Sequence, residues 1–306
     1  MAPPVCCVCD TPVAGKAYTV GGRTFCERHY TQITNNRQGM WGATLVMIVV
    51  LVLFEFIVGA VAPMVAPSLR GGALVFAGVV LALVPAALWM VVFYLQDRAE
   101  PEPKEYLFGV FVLGALLASA VGQPLITQFF RVSDWATGSV LLRLGAGVLV
   151  VGTIQEFLKY AAVRYSIFNS PEFDERIDGI IYGAAAGLGY ATMLNITYVV
   201  NNGGVDLAVG ATRIAVSALA HASFAGISGY FLGRAKFENM GPIWLPAGLF
   251  LAALLNGVVT VALGAISRSG LQATPLNGLI LAAGIAIVTF GALFMIMRRN
   301  NQALTA

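Results

Sequence analysis

The chain has 306 residues, of which 58% are hydrophobic and only 11% charged, and its mean hydropathy is +0.81. A soluble globular chain carries about 25% charged residues, so a soluble enzyme, a disordered regulator and a disulfide-stapled secreted domain are excluded. The net charge of +3 gives no reason to expect a nucleic-acid partner. The first forty residues are polar, carry no secretory signal, and hold three of the four cysteines within four positions.

In that N-terminal stretch, Cys6-x2-Cys9 and Cys26-x2-His29 form two ligand pairs with 16 residues between them. Each short pair lets two side chains converge on one tetrahedral ion, and two such knuckles close a structural Zn²⁺ site with no position open for substrate. Residues 1–36 are too few to build a core, so metal binding is expected to supply their folding energy. Gly21-Gly22 suits a hairpin turn between the pairs, and Cys7 is left as a spare thiol. The stretch resembles half of a LIM-type or treble-clef finger, which implies a surface for docking a cytoplasmic protein.

Eight apolar segments follow, at roughly 41–66, 71–96, 106–130, 138–166, 177–200, 207–233, 243–266 and 273–297. Each reaches the ~20 residues that cross a bilayer as a helix. Helix is the expected form because backbone polar groups must be satisfied inside each segment. Pro63 and Pro67 leave the first pair open to being one long hairpin. The sequence thus predicts an all-α polytopic membrane protein, with a membrane domain over 41–300 in contact with the lipid bilayer. Twelve of the eighteen Lys and Arg fall on the side of the termini, and three (Arg70, Arg131, Arg268) fall on the other. By the positive-inside rule both termini lie in the cytoplasm, and the protein sits in the cell (inner or plasma) membrane.

Ionisable groups at membrane depth are costly and therefore candidates for function. Glu156, Lys159 and Tyr160 share one face of the fourth segment at i, i+3 and i+4. Asp178 and Tyr182 pair in the same way on the fifth. Arg213, Ser217 and His221 form a stripe on the sixth, and Asn256 lies midway along the seventh. Lys159 and Arg213 are expected to neutralise Glu156 or Asp178. Glu55 has no evident partner. Gly183-x3-Gly187 and Gly229-x3-Gly233 let helices approach closely, so the fourth to sixth segments should form a tight bundle with polar groups inward.

Four blocks then carry a resemblance: QDRAEPEP at 96–103, QEFLKY at 155–160, FDERIDGIIYGAAAGLGYATMLNITY at 173–198 and HASFAGISGYFLG at 221–233. Over about residues 90–265 the chain resembles the PrsW family, which is placed with the CPBP-type intramembrane metalloproteases. The resemblance implies a metal site buried between helices and cleavage of membrane-anchored proteins such as anti-sigma factors. It places Glu156 and His221 in the catalytic site, with Lys159, Asp178, Asn195 and Arg213 as supporting residues.

The departures fall on the chemistry. The family's Glu-Glu-x-x-Lys reads Gln155-Glu156-Phe157-Leu158-Lys159 here. Its Phe-x-x-x-Glu followed by Asn reads Tyr190 to Leu194 followed by Asn195. A further histidine found in many members is matched by Asn256. A metal that activates water for peptide hydrolysis normally has three His or carboxylate ligands. Only Glu156 and His221 remain, so a second zinc at His221 lacks ligands. The resulting expectation is a catalytically degenerate protease that binds a transmembrane partner; the alternative is an active protease with an altered ligand set.

Overall fold

The computed structural model describes residues 4–268 apart from 21, 35–37, 66–67 and 97–102, together with 280, 283–289, 291–293 and 295–296. Strands β1 (Tyr18–Val20) and β2 (Arg23–Phe25) pair antiparallel, with Tyr18 opposite Phe25. Gly22 between them has φ of 79°, a conformation that glycine adopts without steric cost. Helix α1 (Glu27–Thr34) completes the N-terminal module.

The apolar segments then fold as helices: α2 (Gln38–Val65), α3 (Gly72–Gln96) and α4 (Lys104–Leu117), the last continuing through π-helical stretches at Ala118–Gly122 and Leu125–Phe129. A short α5 (Val132–Trp135) leads to α6 (Val140–Ala146). A third π-helical stretch, Gly147–Gly152, joins α6 to α7 (Thr153–Ser166). The bundle ends with α8 (Asp178–Asn201), α9 (Leu207–Phe237) and α10 (Trp244–Arg268). Seven segments among the described residues are long and apolar enough to cross a membrane, and they fall on the first seven predicted ones. The eighth, 273–297, lies partly outside the described residues, which include an apolar helical stretch at Ala283–Leu293.

Helices α8 and α9 are the centre: 83% and 89% of their spanning windows are buried, against 22–33% in the other five. The outer helices expose Leu45, Phe56, Phe76, Leu141 and Phe250, as side chains in contact with lipid must. Glycine sets the spacing at the centre. A Cβ on Gly179, Gly183 or Gly187 would lie 2.1, 2.5 or 2.3 Å from the carbonyl oxygen of Gly229, Ala225 or His221. Only a bare backbone permits that approach, as the spaced glycines predicted. Likewise, a Cβ on Gly152 would lie 2.4 Å from the Ala253 carbonyl oxygen, which draws the start of α7 against α10. The four helices that bear the candidate residues are thereby drawn into two close pairs, α8 with α9 and α7 with α10.

The N-terminal module does not stand free. Val20 and Phe25 are fully buried and belong to the same apolar cluster as Ile167, Phe173 and Phe237. The module therefore rests on the end of the bundle formed by the α7–α8 loop and the C-terminus of α9.

Candidate functional site

Three helices converge on Lys159. Its Nζ donates to Glu156 Oε1 one turn earlier on α7 and lies 3.1 Å from His221 Nδ1 of α9. From α10, Asn256 Nδ2 donates to Glu156 Oε1 at 2.6 Å and to Gln155 Oε1 at 2.9 Å, and Thr260 Oγ1 donates to Asn256 Oδ1 at 3.2 Å. Glu156 and Lys159 are entirely buried. Tyr190 of α8 closes the group: its ring centroid is 5.8 Å from that of His221 and 5.7 Å from Lys159 Nζ. Glu156 Oε2 and the Tyr190 hydroxyl are buried with no hydrogen-bond partner among the described residues.

The donor chemistry fixes the histidine. An ammonium only donates, so His221 Nδ1 is the acceptor and the neutral ring carries its proton on Nε2. Neither nitrogen then offers a lone pair to a metal. Glu156 Oε1 is already engaged by an ammonium and an amide, and Gln155 Oε1 by the same amide, so Glu156 Oε2 is the one unengaged carboxylate oxygen of the group, short of the three ligands that a water-activating metal normally has. The residues present do not fit the catalytic metal that the family resemblance implies.

The other expected residues are distributed as follows. Asn195 is buried and donates from Nδ2 to the Ile214 carbonyl at 3.5 Å, joining α8 to α9. Leu194 packs on the cluster of Ala118, Leu158 and Tyr190, so hydrocarbon fills that flank. Asp178 is not inside the bundle with Lys159 or Arg213. It sits in the first turn of α8, where a carboxylate suits the helix N-terminus, and Oδ2 accepts from Glu175 N at 2.6 Å. Arg213 does not join His221 either: it is exposed, with its guanidinium 3.6 Å from the Tyr198 ring centroid. Eight residues of helix overshoot two turns by about 80°, so the stripe swings Arg213 off the inner face. Glu55 has a partner after all, the Thr212 hydroxyl, which donates to Oε1. Tyr190 is the site residue that sequence reasoning passed over. Its one signal was its place at the aromatic position of the second motif.

In the module, Cys6, Cys9, Cys26 and His29 bring their donor atoms within 4.8 Å of one another, and among the described residues they are the one group of three or more such side chains able to hold a metal ion. His29 Nδ1 lies 3.4 Å from Cys6 Sγ and 3.2 Å from Cys26 Sγ. Burial tends to raise the Cys6 thiol, but backbone N–H groups at Cys26, Cys9 and Val8 and the His29 ring outweigh it and lower it to about 6. Three thiols and an imidazole on a tetrahedral scale fit a structural metal. Cys7 stands outside the group and is exposed. The hairpin tip meets the membrane domain. Arg23 donates to the Lys236 carbonyl and, through Nε, to Asn239 Oδ1 at 3.3 Å, while Asn239 Nδ2 donates back to the Gly22 carbonyl at 3.1 Å. Gln32 Nε2 donates to Asp174 Oδ2 at 3.2 Å.

Comparison with known proteins agrees with this architecture. The family model for PrsW family intramembrane metalloproteases matches residues 102–296. A Protease PrsW of Geobacillus kaustophilus (strain HTA426) is 33% identical over 187 residues, 61% of this chain and 79% of that protein. One from Halalkalibacterium halodurans is 33% identical over 178 residues, 58% of this chain and 79% of that protein. One from Bacillus subtilis (strain 168) is 31% identical over 195 residues, 63% and 85% of the two chains. No solved structure matches. The helical core, the buried Glu156 and His221, and a family match spanning most of the membrane domain together place the chain in the PrsW family of intramembrane metalloproteases.

Proposed function

We propose that this chain keeps the PrsW helical core as a membrane-embedded binding scaffold, holds a transmembrane segment of a partner protein, and does not cleave it. The observation that carries this reading is the Lys159 ammonium held between Glu156 and His221 Nδ1, in a site where Gln155, Leu194 and Asn256 replace stronger ligands. Peptide hydrolysis needs an activated water and a base. Here the one remaining carboxylate neutralises a lysine. The test is cleavage of a co-expressed transmembrane reporter. The unmodified chain and Gln155→Glu alone should leave the reporter intact. Gln155→Glu, Leu194→Glu and Asn256→His together should give chelator-sensitive cleavage.

The relatives' name, Protease PrsW, and the retained Glu156 and His221 favour a second reading, an active protease with an altered ligand set. Chelator-sensitive cleavage by the unmodified chain, abolished by His221→Ala, establishes that reading and overturns the first.

The module's ion is zinc on this reading, since three thiolates and an imidazole select it over hard cations. Metal analysis of purified protein should find one zinc per chain, lost on replacing Cys9 and Cys26 with Ser. Both termini lie in the cytoplasm, a location that keeps the thiols reduced.

A further inference from the structure

Helix α9 ends with carbonyls that its own backbone cannot satisfy, as every α-helix does. Its Arg234 carbonyl is taken by the amide of Glu238. The next two are served from the far end of the sequence: Arg23 donates from Nη1 to the Lys236 carbonyl and from Nη2 to the Ala235 carbonyl at 3.4 Å. A guanidinium at a helix C-terminus also opposes the negative end of the helix dipole. Arg23 is thus the C-terminal cap of the helix that carries His221 near its middle.

The hairpin presenting Arg23 lies between the two ligand pairs and has little else within the module to hold it. Its strands are three residues each, and the buried apolar residues of the described module are Cys6, Val20 and Phe25, the last two turned to the membrane domain. Cys7 N donates to the Thr24 carbonyl at 2.9 Å, which ties the first knuckle to the second strand. A module of this size with no core of its own keeps its shape only while metal joins the knuckles.

We propose that the module is a metal-dependent clamp whose docking partner is its own membrane domain. With metal bound, the hairpin caps α9 through Arg23 and Asn239 and ties the α7–α8 loop through Gln32. Without metal, the hairpin loses its frame and the last turn of α9 opens. The clamp rests on the zinc reading above and goes beyond it by assigning the surface that the finger engages.

The experiment is hydrogen exchange on the full chain in detergent, read at amides 234–240, with and without a zinc chelator. Chelation should speed exchange there about tenfold, as loss of charge-assisted caps does, while amides 183–190 of central α8 stay unchanged. Zinc-loaded Arg23→Ala should show the same acceleration while retaining its zinc. Should that variant fail to fold, Asn239→Ala supplies the same readout. A chain that takes up zinc but exchanges equally with and without chelator overturns the clamp and leaves the zinc reading standing. A chain that takes up no zinc overturns both.

Discussion

At Lys159, a carboxylate on its own helix and an imidazole two helices away share one ammonium in a fully buried setting. Breaking a buried ion pair leaves an uncompensated charge and costs ~3–5 kcal/mol, whereas replacing both partners by neutral groups costs far less. Lys159→Met should therefore destabilise the protein by about that amount, and Lys159→Met with Glu156→Gln should recover most of it. Thermal unfolding in detergent measures both; equal stability of the single and double variants would show that the pair does not interact. Outside the spans, Glu238 bonds to Arg176 at 3.1 Å and to Arg234. Burial pushes its carboxyl up, but hydrogen bonds and charge from Arg234 and Arg176 prevail and hold it below the ordinary 4.5. A carboxyl whose folded value lies below its unfolded one stabilises at higher pH and loses that contribution as pH falls through the folded value. Stability should accordingly drop below pH 4.5, with a shallower drop in Glu238→Gln when unfolding is followed against pH.

Among the helices, the spacing of α8 against α9 is set by missing side chains. A Cβ on Gly229 would lie 1.9 Å from the Gly179 carbonyl oxygen, while one on Gly109 of α4 would meet nothing within 4 Å. Gly229→Ala should cost at least ~1–3 kcal/mol through overpacking. Gly109→Ala should be neutral or stabilise by up to ~1 kcal/mol through helix propensity. Denaturant titration of the two variants side by side checks the contrast. These elements were legible in the sequence because hydropathy over ~20 residues and spaced glycines are local signals. Glu156 with Lys159 was legible for the same reason, being one turn apart. The face of Arg213 was misjudged because an i, i+4, i+8 stripe drifts around the helix. The partner of Glu55 was invisible because Thr212 is 157 residues away. The π-helical stretches at Ala118–Gly122 and Gly147–Gly152 leave no mark in a pattern of uniformly apolar residues.

For the whole molecule, the proposed placement of both termini in the cytoplasm rests on the twelve basic residues on the side of the termini against three on the other. A cysteine engineered as Gln302→Cys, in a background lacking Cys7, should react with a membrane-impermeant thiol reagent only after the cells are opened. Reaction in intact cells would overturn the assignment of both termini to the cytoplasm. The module's attachment to the far side of the chain has a consequence in time as well as in space. Arg23 and its acceptor at Lys236 are 213 residues apart. At roughly 5–20 residues per second of synthesis, the hairpin leaves the ribosome tens of seconds before the end of α9 exists. Through that interval the newborn N-terminus lacks the complete docking surface that covers Val20 and Phe25. Metal capture is then the earliest event available to it, and the last turn of α9, when it emerges, closes on a tip that was finished first.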